Sequence, residues 1–117
     1  MSLAKKLNLK AAMKVRVLGK PRDVDLDDVH TTSSKSAEAI LLFVHNLKEL
    51  NAQSAPVIEA ALADGLAWIA YPKSGQLGTD LSRDILWNHL LESGVQAVRQ
   101  IALDEVWSAL RFRPAKG

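Results

Sequence analysis

The sequence predicts an α/β fold: a single three-layer domain around a mostly parallel sheet of five to six strands, closed by an antiparallel C-terminal edge pair. Three observations carry this. Ala39–Val44 and Leu66–Tyr71 are apolar at every position, the pattern of strands covered on both faces in a parallel sheet. The residues between them hold an amphipathic helical stretch, and strand, helix, strand makes a βαβ unit with a right-handed connection. Two strand-like runs near the C-terminus, Val98–Leu103 and Val106–Phe112, are joined only by Asp104 and Glu105, which predicts a hairpin.

Taken in order, Met13–Leu18 alternates apolar and charged residues and stops at Gly19-Lys20-Pro21, so it reads as a strand with one face toward the core. Val24–Val29 is a weaker strand candidate, and the polar run His30–Ser36 reads as a surface loop. After Val44, Asn46 followed by Glu49 makes a helix-starting box, and Leu47, Leu50, Val57, Ile58, Ala61 and Leu62 supply an apolar stripe. Pro56 cannot sit inside one continuous helix, which predicts a break near Ser54 and a restart at Pro56. Thr79 or Asp80 can cap a later helix in which Leu81, Ile85, Leu86, His89 and Leu90 form one face and which Gly94 ends. Asp104-Glu105 offers neither glycine nor asparagine for a two-residue hairpin turn, so either the strands fray into a longer loop or a bulge absorbs the reversal.

Composition narrows the function classes. The chain has 117 residues, 15 Lys+Arg against 13 Asp+Glu, and no cysteine. Its length excludes a second domain, and the missing cysteine excludes disulfides, thiolate metal sites and a thiol nucleophile. No apolar run approaches the roughly 20 residues that span a bilayer. No signal-peptide core follows the N-terminal lysines, so a cytoplasmic location is expected. Seven cations precede Asp23, but Lys14 and Arg16 alternate with Val15 and Val17 as the outer face of a strand, leaving Lys5, Lys6 and Lys10 unassigned. The segment before Phe43 has no aromatic residue on which bases could stack, so nucleic acid is not an expected partner. No repeats, P-loop, GxGxxG fingerprint, GxSxG elbow or paired metal-binding histidines occur; no cofactor and no metal are expected.

In open α/β sheets ligands bind beyond the carboxyl ends of the strands, so chemistry is sought there. Those positions are Gly19, Lys20 and Pro21; His45 and Asn46; Lys73 and Ser74; and Asp104, Glu105 and Trp107. The loop Tyr71–Asp80 offers a lysine, two hydroxyls, two glycines and a helix start, from which an anion cradle or a plain surface connector can equally be built. Asp80, Arg83, Asp84 and Trp87 share one side of a helix, where Arg83 could be held by either carboxylate as a simple surface pair or aimed at an anion. Asp104, Glu105 and His45 are the acid/base candidates. Trp107, Ala109, Arg111 and Arg113 share one face of the last strand, readable as an exposed platform or as an edge guarded by arginines.

The blocks Tyr71-Pro-Lys73, Thr79-Asp-Leu-Ser-Arg-Asp84 and Asp104-Glu-Val-Trp-Ser108 make residues 13–113 resemble a family of small bacterial proteins known only as a domain of unknown function. The resemblance implies a small α/β domain with no assigned activity. It places Lys73, Thr79, Asp80, Arg83, Asp84, Asp104, Glu105, Trp107 and Ser108 in the family's motif blocks. The order of elements is also similar to the second half of a Rossmann-like methyltransferase, without the glycine-rich first loop.

The leading expectation is a non-catalytic binding or interaction module. Its site residues, Lys73, Ser74, Thr79, Asp80, Arg83, Asp84, Asp104, Glu105 and Trp107, would hold a small anionic ligand or an acidic group of a protein partner. The alternatives are a small enzyme using Asp104, Glu105 or His45 as acid/base, and a homo-oligomer paired through Trp107 and the C-terminal strand.

Overall fold

The computed structural model describes Leu7, Leu9, 14–21, Val24, 30–32, 39–73 and 78–115. The elements among these residues are β1 (Lys14–Leu18), β2 (His30–Thr32), β3 (Ala39–Phe43), α1 (Leu47–Gln53), α2 (Ala55–Leu62), β4 (Leu66–Pro72), α3 (Arg83–Leu91), β5 (Val95–Ala102) and β6 (Trp107–Pro114). They form an α/β domain on one six-stranded mixed sheet in the order β2-β1-β3-β4-β6-β5. The pairs β2/β1, β1/β3 and β3/β4 are parallel, whereas β4/β6 and β6/β5 are antiparallel. No helix among the described residues is long and apolar enough to cross a membrane.

β3 is buried along its whole length because it feeds two cores. Ile40 and Leu42 point to the face covered by the helices, through Leu50, Val57, Ala61, Leu86 and Leu90. Leu41 and Phe43 point to the other face, where they meet Val15, Trp68, Leu7 and Val24. A side chain buried this way contributes about 1.5–3 kcal/mol, so the doubly apolar strands hold the sheet centre.

The predicted helix break is present. Ser54 ends α1 and opens α2, and Pro56 sits in the first turn of α2, where its missing N–H costs nothing. α2 then stops in a reversed turn: the Asp64 N–H donates to Ala61 and the Gly65 N–H to Ala60, with Asp64 at φ 62°. Arg113 grips the Asp64 carboxylate with two hydrogen bonds of 2.9 and 3.2 Å and so steadies an aspartate in a glycine-like conformation.

Several expectations need correction. His30–Thr32, read as loop, forms the edge strand β2, because the β-branched threonines continue the parallel ladder beside Lys14–Arg16. Of the weaker candidate Val24–Val29, only Val24 is among the described residues. β5 begins at Val95, directly after Gly94, and β6 runs on to Pro114. The hairpin takes the first of the two routes: Leu103–Val106 forms a four-residue loop, and the one register slip, between Ala97 and Arg99, lies at the far end of the pair and takes no part in the reversal. β6 is not an edge strand; it lies between β4 and β5, and β5 is outermost.

Candidate functional site

β1, β3, β4 and β5 all run the same way, so their carboxyl ends do meet on one rim, and hydrogen bonds knit that rim together. The Lys73 N–H donates to the Val106 carbonyl at 2.7 Å and its ammonium to the Asp104 carbonyl at 2.8 Å, tying the end of β4 to the hairpin tip. Asp104 Oδ1 accepts the N–H groups of Val106 and Trp107 at 2.8 and 2.7 Å, a side-chain turn that replaces the missing glycine chemistry. Glu105 is exposed at the tip.

Thr79 and Asp80 do not cap the helix that follows them. The Thr79 hydroxyl donates to the His45 carbonyl at 2.7 Å and accepts the Leu81 N–H, while Asp80 Oδ1 accepts the Leu47 N–H at 2.9 Å. They therefore clamp the start of α1, whose own cap Asn46 takes the Glu49 N–H. Ser82 is the cap of α3, accepting the Ile85 N–H at 3.3 Å. The α1 terminus thus has its donors satisfied from two directions. At α3, no acceptor among the described residues takes the N–H groups of Arg83 and Asp84, which leaves the positive end of that helix open.

That open end borders a cleft of about 290 Å³ lined by Tyr71, Lys73, Ser82, Arg83, Asp84, Gln100 and Ser108. Tyr71 and Ser108 are register partners on neighbouring strands, and Gln100 comes from the outermost strand on the same face. The Gln100 amide donates to the Tyr71 hydroxyl at 3.2 Å. Burial pushes the Tyr71 phenol up, against the opposing charge of Arg83 and the Gln100 hydrogen bond, so Tyr71 keeps its proton and can donate it into the cleft. Arg83 is exposed and meets Asp84 only at 3.4 Å. Two cations, one carboxylate, a helix N-terminus and a phenol donor make this cleft suited to an anion.

The structure brings Lys73, Arg83, Asp84 and Ser108 together and places other predicted residues elsewhere. Thr79 and Asp80 support the neighbouring helix, Asp104 shapes the hairpin, and Ser74 lies outside the described residues. Trp107 is 3 % exposed and packs edge-on against the rings of Phe43 and His45, at 5.3 and 5.2 Å. It lies beneath the rim, so it forms neither an exposed platform nor a strand-edge contact. On the same face Arg113 is engaged with Asp64, and Arg111 Nε has no hydrogen-bond partner among the described residues. Ser82 and Gln100 were not among the expected site residues, and Tyr71 was expected only as the end of a buried strand and the start of the following loop and motif block. Gln100 could not have been found by alternation, because only the register slip between Ala97 and Arg99 turns it to the side of Val95 and Ala97.

His45 is joined to Glu49: one carboxylate oxygen accepts the His45 N–H at 2.9 Å and lies 3.0 Å from its Nδ1. Burial works to raise the Glu49 carboxyl, but the hydrogen bonds from the His45 backbone and ring, with the ring's charge, outweigh it and hold the group below its ordinary 4.5. A depressed carboxyl stabilises the fold above that value and loses its contribution as pH falls through the folded pKa. The stability gap between wild type and Glu49→Gln in urea unfolding should therefore be widest at neutral pH and shrink well below pH 4.5; a pH-independent gap would contradict this. Among the described residues no group of three His, Asp or Glu side chains is arranged to hold a metal ion.

No protein-family model matches the chain, and no curated protein matches it.

Proposed function

We propose that this domain binds a small anionic ligand, a phosphate or carboxylate, in the cleft between α3 and the carboxyl ends of β4 and β5. The observation that carries the proposal is that Lys73, Arg83 and the first turn of α3, whose Arg83 and Asp84 N–H groups meet no acceptor among the described residues, line one 290 Å³ hollow. Lys73 is held in place by the Asp104 carbonyl, which fixes its position at the cleft wall. Arg83 supplies a planar fork able to take two anion oxygens. Tyr71 adds a neutral donor. Under the same proposal the sheet is the middle of three layers, with the second face closed over by chain that includes Leu7, Leu9 and Val24, since these pack into the core there.

The test is thermal unfolding of wild type, Lys73→Ala and Arg83→Ala with inorganic phosphate, nucleotides, S-adenosylmethionine and small carboxylates. A ligand at 100 times its dissociation constant adds about 2.7 kcal/mol and should raise the wild-type midpoint by roughly 10 °C. Both variants should remain folded, because both side chains are at the surface, and should lose most of that rise. No rise with any anion, or an equal rise in all three proteins, would overturn the proposal.

A further inference from the structure

A second hollow of about 200 Å³ adjoins the first and shares Arg83 and Gln100 with it. Its character differs: Trp87, Val98 and Leu110 line it, with Arg83 at the boundary. Trp87 follows Arg83 by one helical turn on α3. It is 39 % exposed, whereas Trp68 and Trp107 are 1 % and 3 % exposed. Opposite it, Val98 stands at the register slip of β5 and is also exposed. A bulge there turns the outermost strand away from regular pairing and sets an apolar side chain across from the indole, a use of bulges found beside binding sites.

From this geometry we infer that the ligand is an anion joined to a flat aromatic ring: the anionic group sits between Lys73 and Arg83 and the ring lies against Trp87 and Val98. The inference rests on the anion site proposed above and names the class of molecule it takes. Indole faces favour planar rings, and a neighbouring guanidinium strengthens the stack. The Gln100 amide donates to Tyr71, and its carbonyl oxygen, which takes no donor among the described residues, can accept from an exocyclic amine or a ring N–H. Nucleoside monophosphates and aromatic carboxylates both present this chemistry.

Trp87 is the exposed tryptophan, so the part of a ligand-induced emission change that is lost in Trp87→Ala reports on it. Wild type, Trp87→Ala and Trp87→Phe would be titrated with inorganic phosphate, ribose 5-phosphate, adenosine monophosphate and indole-3-acetate, following the unfolding midpoint with all four and emission with the first three, since indole-3-acetate itself fluoresces. An aromatic anion should bind wild type about tenfold more tightly than its non-aromatic counterpart and quench the emission. That preference should vanish in Trp87→Ala and return in part in Trp87→Phe. Preference for adenosine monophosphate assigns the nucleotide source, and preference for indole-3-acetate assigns the carboxylate; either supports the inference. If phosphate binds but aromatic anions bind no better, or the preference survives in Trp87→Ala, the inference falls and the anion site stands. If no anion binds at all, both fall.

Discussion

Trp68→Ala is expected to remove about 3–5 kcal/mol of stability, the largest single effect in this domain. A chain of 117 residues has about 6–17 kcal/mol to lose in total, so the variant should be marginal or partly unfolded at room temperature. The indole is 1 % exposed at the centre of the second core, beside Leu41, Phe43 and Val15. Its Nε1–H donates to the Leu7 carbonyl at 3.1 Å, across 61 residues of sequence, so it also fastens the N-terminal chain to the sheet. Trp68→Phe refills most of the space but leaves that buried carbonyl without its donor, an intermediate loss of about 1–3 kcal/mol. Urea unfolding followed by circular dichroism would rank the three proteins. Trp68→Ala within 1 kcal/mol of wild type would show that the second face is not a core. The proposed anion cleft lies on the opposite face, so any stabilisation by phosphate should survive in Trp68→Phe.

Gly19→Ala should cost about 2–4 kcal/mol, from two separate causes. Gly19 has φ +71°, where a side chain is disfavoured by roughly 1–2 kcal/mol. A Cβ there would lie 2.8 Å from the Phe43 carbonyl oxygen, and that oxygen belongs to the backbone of the central strand β3, which cannot step aside. Gly78→Ala separates the causes. Its φ of +65° is similar, but no described residue stands within 4 Å of the added methyl, so only the conformational cost of roughly 1–2 kcal/mol should appear. Equal losses in the two variants would mean that the close approach to Phe43 contributes nothing.

Part of the proposed cleft was legible. The rim positions of Lys73 and Arg83 could be read because a lysine directly after a buried strand and an arginine in the first turns of a helix are set by local pattern. Thr79 and Asp80 were found for the wrong reason: their cap chemistry is plain, but their partners are His45 and Leu47, more than 30 residues earlier. Trp107 illustrates the opposite failure. Alternation put it on one face with two arginines, yet that face of the strand's first residue is covered by Phe43 and His45, and only its later residues reach the surface.

By itself the sequence determined the elements whose burial is written in their own periodicity: the doubly apolar β3 and β4, the helix broken at Ser54 and restarted at Pro56, and a C-terminal pair of strands. It also determined the absence of thiol chemistry. The tertiary structure decided that β6 slips between β4 and β5, so that Gln100 and the bulge at Val98 come to flank α3 and build the cleft. The physical reason is range. Periodicity records which faces of a segment avoid water, and a backbone ladder accepts any strand of suitable length and polarity. The choice of neighbour is made only when side chains distant in sequence pack and pair together.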